Sequence, residues 1–235
     1  MVPPAEPSGR PRPPLSADRV LRAAIGLADE GGIESLTMRK LAQELGVEAM
    51  SLYHHVANKD DLLDGMFDIV VSEIGLPSAG TEWNVALRSS AISAHDVLLR
   101  HPWASRLWSG TTVRPARLRY MDSVLGRLRE AGFSAAMTHH AYHALDSHIV
   151  GFTLWETGYP PDPELVELAS TFLQELSVED YPFLAEHVEY HLNVPNHDES
   201  EFEFGLGLIL DGLERLRDAG RDSRPVASSD LSSTE

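Results

Sequence analysis

The sequence predicts an all-α fold: a three-helix N-terminal head containing a helix-turn-helix, joined to a larger helical body, about ten helices in all. Three observations predict it. Apolar residues recur three and four positions apart along most of the chain. No stretch alternates with period two for long, and Val, Ile and Thr are scattered. Capping residues and glycine stops punctuate the pattern at helical intervals.

Each element follows in order. Residues 1–14 hold six prolines with Arg10 and Arg12 and read as a disordered arm. Ser16 is a candidate N-cap, because its hydroxyl accepts an orphan backbone N–H. Leu21, Ala24, Ile25 and Ala28 then mark one helical face, and Gly31-Gly32 stops it. Thr37 caps a short second helix carrying Met38, Leu41, Ala42 and Leu45. Gly46 suits the following C′ position, where positive φ costs glycine little. A third helix is expected over about 48–56. Asn58 caps a fourth with Leu62, Leu63, Met66, Phe67, Val70 and Ile74 apolar, ended by Gly75 and Pro77. Further helices are expected at about 82–100, 102–108, 114–131, 134–157, 163–176, 179–192 and 199–219. Residues 220–235, rich in Ser, Asp and Arg, read as a disordered tail. The domain expectation is therefore head 15–60 and body 61–219 between the two tails.

Composition narrows the function classes. The 235 residues include no cysteine, which removes disulfides, thiolate zinc sites and thiol nucleophiles. No apolar run reaches bilayer length, and the N-terminus lacks a secretory signal's apolar core. A cytoplasmic protein with no membrane partner is expected. The net charge is −17, but it is unevenly placed. Residues 1–63 hold 7 basic and 9 acidic residues, whereas the rest hold 12 and 27. No Lys or Arg occurs between Glu130 and Glu214. A near-neutral head joined to an acidic body permits an anionic partner at the head and disfavours one elsewhere.

The head carries the chemistry. In the run from Leu36 to Val56, two short helices meet at a glycine turn over a shared core of Leu41, Ala42, Leu45, Val47 and Leu52. This is the spacing of a helix-turn-helix, whose second helix enters the DNA major groove. Arg39 can reach a guanine edge or a phosphate. Ala49, Met50 and Ser51 open the third helix, the end that meets base edges, and Met50 can touch a thymine methyl. Tyr53, His54 and His55 can donate to phosphate oxygens. Lys59 sits at a helix N-terminus, where backbone N–H groups also favour phosphate. Thr37 can be both cap and phosphate donor. The competing reading is an ordinary helical hairpin, with Tyr53 in the core and His54 and His55 on the surface.

From Leu36-Thr-Met-Arg-Lys-Leu-Ala-Gln-Glu-Leu-Gly-Val to Leu-Tyr-His-His-Val-Ala-Asn-Lys-Asp-Asp-Leu-Leu63, the sequence resembles the DNA-binding domain of the tetracycline-repressor (TetR/AcrR) family, over Leu15 to about Met66. The resemblance implies a homodimeric, ligand-responsive transcription regulator, most often a repressor, and no enzyme. It puts Arg39 and residues 49–51 at base-reading positions, and Thr37, Tyr53, His55 and Lys59 at backbone-contacting ones. His54 and Met50 depart from the founding members, which carry tryptophan and proline there. That affects the operator sequence expected, not the function. Phe202-Glu-Phe-Gly-Leu-Gly-Leu-Ile-Leu-Asp-Gly-Leu-Glu214 resembles the family's last helix, which packs in a four-helix dimer bundle with the helix over 134–157. Phe202, Leu206, Ile209, Leu210 and Leu213, with Leu216, form an apolar face suited to that interface. Gly205 and Gly212 suit close helix approach, although core packing explains the same pattern. Two-fold symmetry then predicts a pseudo-palindromic double-stranded DNA operator.

The expected effector is a small amphipathic molecule in a pocket of the body. The candidate lining residues are Ser90, Trp103, Trp108, Met121, His140 and His143. Members that bind magnesium-tetracycline use histidines where this chain has Gly75 and Trp108, so the resemblance does not extend to that chelate, and no cofactor is expected. His139/His143 and His187/His191 are i, i+4 pairs able to hold zinc or nickel. The alternative reading is therefore a helical metal-binding protein or enzyme, although no Glu-x-x-His pair stands at bundle spacing.

Overall fold

The computed structural model describes residues 14–108, 114–158, 167, 171, 177–193 and 200–222, with the side chains of 191–193 and 220–222 outside the description. The arm up to residue 13, the helix expected over 163–176 apart from residues 167 and 171, which are helical, and the tail beyond 222 lie outside the described residues. Within them the chain forms ten α-helices and no strand.

The head follows its local signals. Helix α1 spans Ala17–Gly31, with the Ser16 hydroxyl accepting the Arg19 N–H at 3.2 Å. Its buried face is Val20, Ala24, Ile25 and Ala28; Leu21 stands at the edge. Gly32, at φ 75°, ends it, and a 3-10 turn, Ile33–Ser35, follows. Helix α2 is Met38–Leu45, capped by Thr37 onto the Lys40 N–H. Gly46 is left-handed at φ 67°, which turns the chain so that the Val47 N–H reaches the Ala42 carbonyl at 3.0 Å.

Helix α3 is shorter than the 48–56 expected: it is Ala49–Leu52, and residues 53–55 continue as turns. Glu48 supplies no side-chain cap, and the chain must turn after Leu52 to bring Val56 into the core. Helix α4, Lys59–Ser72, opens on a reciprocal cap: Asn58 accepts the Asp61 N–H at 2.8 Å, and Asp61 accepts the Ala57 N–H at 3.1 Å. It runs unbroken through residues 60 and 61, so head and body share one helix.

The body comprises α5 (Trp83–Arg100), α6 (Pro102–Leu107), α7 (Pro115–Glu130), α8 (Ala135–Gly158), α9 (Pro182–Asn193) and α10 (Glu201–Asp222). Pro102 and Pro115 open their helices at the position where a missing N–H costs nothing. Helix α8 is central and packs against α5, α6, α7 and α10, while α4 joins the head to α7. One continuous core runs from Val20 to Leu213 through both parts.

The C-terminal helix corrects one expectation. Phe202, Leu206, Leu210 and Leu213 are buried inside the protomer, and Ile209 is partly buried against the same core. Their stripe is consumed by α5 and α8, so it is not free to meet a second copy. The exposed apolar residues of α10 are Phe204, Leu208 and Leu216. Gly205 does mark a close approach, but within the protomer: a Cβ there would stand 2.6 Å from the His148 ring. Gly212 faces open space.

Candidate functional site

The head presents a surface with a rigid backing. Leu41, Ala42, Leu45 and Leu52 are buried together, with Val47 half-buried against them. Leu52 is fully buried while Met50, two residues earlier, is 73% exposed. The short α3 is thus fixed by its last residue and projects its first turn. Thr37, Arg39, Tyr53, His54 and Lys59 are exposed, and Ala49, Ser51 and His55 are half-buried. Arg39 follows the Thr37 cap in the first turn of α2, and Lys59 follows the Asn58 cap in the first turn of α4. Two side-chain-capped helix N-termini therefore flank α3, each with a basic side chain in its first turn, the second also carrying Asp60 and Asp61.

Carboxylates on the head, and on α4 where it leaves the head, meet donors on the helices that follow. Asp29 of α1 accepts the Trp103 indole N–H at 2.7 Å and His101 Nδ1 at 2.9 Å. Glu34 pairs with Arg106 at 2.7 Å, and Glu73, just past α4, with Arg100 at 3.0 Å. Along α4, Asp61 and Asp64 hold Arg114, while Asp68 accepts the Ala116 N–H at 2.8 Å and so caps α7. The Ala57 N–H first, and Arg114 second, keep the Asp61 carboxyl below the ordinary carboxylate value. A cleft of about 280 Å³ opens at this junction between Ile33, Trp103 and Leu154.

The body interior contains a polar centre. The Asp146 Oδ1 accepts Trp108 Nε1 at 2.9 Å, Arg117 Nη2 at 3.0 Å and the Tyr142 hydroxyl at 3.2 Å. The Arg117 guanidinium lies 4.2 Å from the Trp108 ring centroid, and Phe67 and Tyr120 meet that indole edge-on at 6.0 Å. Burial pushes the Tyr142 phenol up to about 12 and raises Tyr120 as well, so both remain neutral donors.

The six expected pocket residues do not converge on one cavity. Ser90 is buried and donates to the Gly75 carbonyl at 2.7 Å. Trp103 lines the junction cleft, Trp108 belongs to the polar centre, and Met121 is half-buried against the core. His140 and His143 are exposed on α8. The residues that organise the body's polar chemistry, Arg117, Tyr142 and Asp146, are absent from that set. The available signal was an Asp in an apolar stretch of α8 four residues after a Tyr, an i, i+4 pair. Among the described residues no group of three or more His, Asp or Glu could hold a metal ion. His139 and His143 do meet, ring centroids 4.5 Å apart, and the His191 side chain lies outside the description.

Comparison with known proteins agrees with this geometry. Residues 20–66 match the family model described as bacterial regulatory proteins, tetR family, and residues 76–217 match the tetracyclin repressor-like C-terminal domain. The chain is 35% identical over 223 residues to the HTH-type transcriptional repressor DrrR1 of Streptomyces coeruleorubidus, covering 89% of this chain and 81% of that one. It is 33% identical over 207 residues to the class A tetracycline repressor protein from transposon 1721 of Escherichia coli, covering 86% and 92%. The solved structure of ActR from Streptomyces coelicolor in complex with actinorhodin superimposes with a TM-score of 0.74 at 27% identity, covering 87% and 99%.

Proposed function

The chain belongs to the tetR family of bacterial regulatory proteins, and on that premise we propose that it is a homodimeric repressor that leaves a pseudo-palindromic operator when a small amphipathic molecule enters the body. The observation that carries this reading is the projection of Met50 and its neighbours from a head whose Leu52 is fully buried. Arg39, Ala49, Met50 and Ser51 read base edges. Thr37, Tyr53, His54, His55 and Lys59 fix the register on phosphates. The head comprises residues 15–60 and the ligand-binding and dimerisation domain 61–219, and the reading gives the chain no catalytic step.

Release requires a path from body to head. Helix α6 supplies one, since Trp103 bonds to Asp29 on the head side and Trp108 to Asp146 on the body side. A ligand that favours a different seat for α6 shifts the head with it. Helix α4 supplies a second path through Asp61, Asp64 and Asp68. The magnesium-tetracycline chelate does not fit this chain: Gly75 has no side chain to offer, and the Trp108 indole is committed to Asp146. No helix among the described residues is long and apolar enough to cross a membrane, and the reading places the protein in the cytoplasm with its DNA.

Anisotropy of labelled operator against scrambled duplex, with wild type and Arg39→Ala, tests the assignment. Loss of discrimination in the variant supports base reading; discrimination unchanged rejects it.

A further inference from the structure

We propose that the buried guanidinium of Arg117 anchors an anionic, planar aromatic effector, which replaces Asp146 as its partner. The inference rests on the reading of the chain as an effector-released repressor and names the chemical class of the effector.

Arg117 is 8% exposed, and its guanidinium lies over the rings of Trp108 and Tyr120. Its Nη2 donates to Asp146, but its Nη1 is buried with no acceptor. A buried cationic N–H without a partner is costly, and an incoming oxygen acceptor removes that cost. Asp146 is the overloaded member: its Oδ1 receives Trp108, Arg117 and Tyr142 together. Its side chain also keeps 19% exposure, against 10% for Arg117. The carboxylate is therefore the member of the pair that water reaches, and it can swing outward at lower cost than the guanidinium. A ligand arriving by that edge meets the arginine with one donor free.

The surroundings specify the rest of the ligand. Phe67, Trp108, Tyr120 and Tyr142 give the centre aromatic walls, which favour a flat ring system. Tyr142 stays a neutral phenol and donates, so it too can serve an anionic oxygen. A carboxylate or phenolate on a planar ring satisfies Arg117 and Tyr142 while the ring itself meets these aromatic side chains. A cation of the same shape meets Arg117 with like charge. Displacing Asp146 also frees the Trp108 N–H, which holds one end of α6, while the other end holds Asp29 of the head. Occupation of this centre is thereby coupled to the DNA-binding surface.

The test uses the purified full chain and two probes of one ring system, 3-hydroxy-2-naphthoate and 2-naphthylmethylammonium. Binding is read by calorimetry and tryptophan quenching without DNA, and melting curves check that each variant folds. The expected result is one naphthoate per protomer, with the ammonium binding at least tenfold more weakly. Arg117→Lys should weaken naphthoate binding at least tenfold. Asp146→Asn should tighten it, because the competing charge is gone while an acceptor remains for Trp108; a structural role for the pair would not give tightening. If Arg117→Lys does not fold, Asp146→Asn alone decides. Equal binding of the two probes, or no tightening in Asp146→Asn, overturns the proposal, as does a naphthoate-soaked crystal showing only ordered water on Nη1. Operator release is measured separately. Naphthoate binding without release rejects the effector role, whereas absence of any specific DNA binding rejects the underlying repressor reading.

Discussion

Trp103 donates its indole N–H to Asp29 across the junction of body and head, over 2.7 Å. Four residues of helix α6, 104–107, separate Trp103 from Trp108, the residue that caps the helix and donates its own indole N–H to Asp146 at 2.9 Å. A short helix held by a carboxylate at each end moves as a unit, so its position is common to the ligand domain and the DNA-binding domain.

Trp103→Phe should uncouple them. The ring volume is largely kept, and Asp29 retains His101. Stability should fall by about 1 kcal/mol, the net worth of one hydrogen bond. The dose of 3-hydroxy-2-naphthoate needed to release operator should change at least ~5-fold, a coupling change of about 1 kcal/mol. Denaturant melts and anisotropy titrations read the two effects.

Arg39 and Lys59 should differ in kind. Arg39→Ala should cost about 1–3 kcal/mol on operator and relax one base position. Lys59→Ala should weaken operator and scrambled duplex alike and lower the salt slope by about one. Titrations at several salt concentrations separate the two.

Gly46→Ala should destabilise the head by about 1–2 kcal/mol, because alanine resists the φ of 67° that joins α2 to α3. Thermal melts read the loss, and the variant should bind operator more weakly once the recognition turn is strained.

The head was legible because its signals are local. Ser16, Thr37 and Asn58 each cap an N–H three residues on, and Gly46 turns where the sequence asks for a turn. The centre of the body was not, because its bonds join Trp108 to a residue 38 positions away and Arg117 to one 29 away. No periodicity connects them. The stripe on α10 was visible as apolar, but a stripe does not say what covers it. The protomer's own α5 and α8 do, and Phe204 and Leu208, an i, i+4 pair outside that stripe, stay exposed.

Two leucines on α10 should therefore separate folding from assembly. Leu206 is fully buried, and Leu206→Ala should cost about 2–5 kcal/mol of folding stability. Leu208 is 58% exposed, and Leu208→Arg should leave the protomer folded but shift it toward monomer. Circular dichroism and sedimentation velocity distinguish the outcomes.

Stability should also fall as the solution is acidified through the histidine range. Burial holds His95 neutral and its pKa below the ordinary 6.5, against the opposing pull of Glu156 and Asp96 and with help from His148. The unfolded chain therefore takes up this proton first. The His95 contribution is complete above about 6.5 and declines as pH falls from there to the folded value. His95 stacks on Phe202 at 3.9 Å, so His95→Phe should keep a ring in that place. Denaturant melts between about pH 7.5 and 5.5 should show a shallower pH slope in the variant, by up to one proton.

The central claim is that the head reads a two-fold symmetric DNA site. Selection of binding sites from random duplex DNA by the purified full chain tests it most directly. The account predicts a pseudo-palindrome whose half-sites lose enrichment together in Arg39→Ala. Recovery of no enriched sequence, from protein refolded to strip any bound ligand, would contradict it.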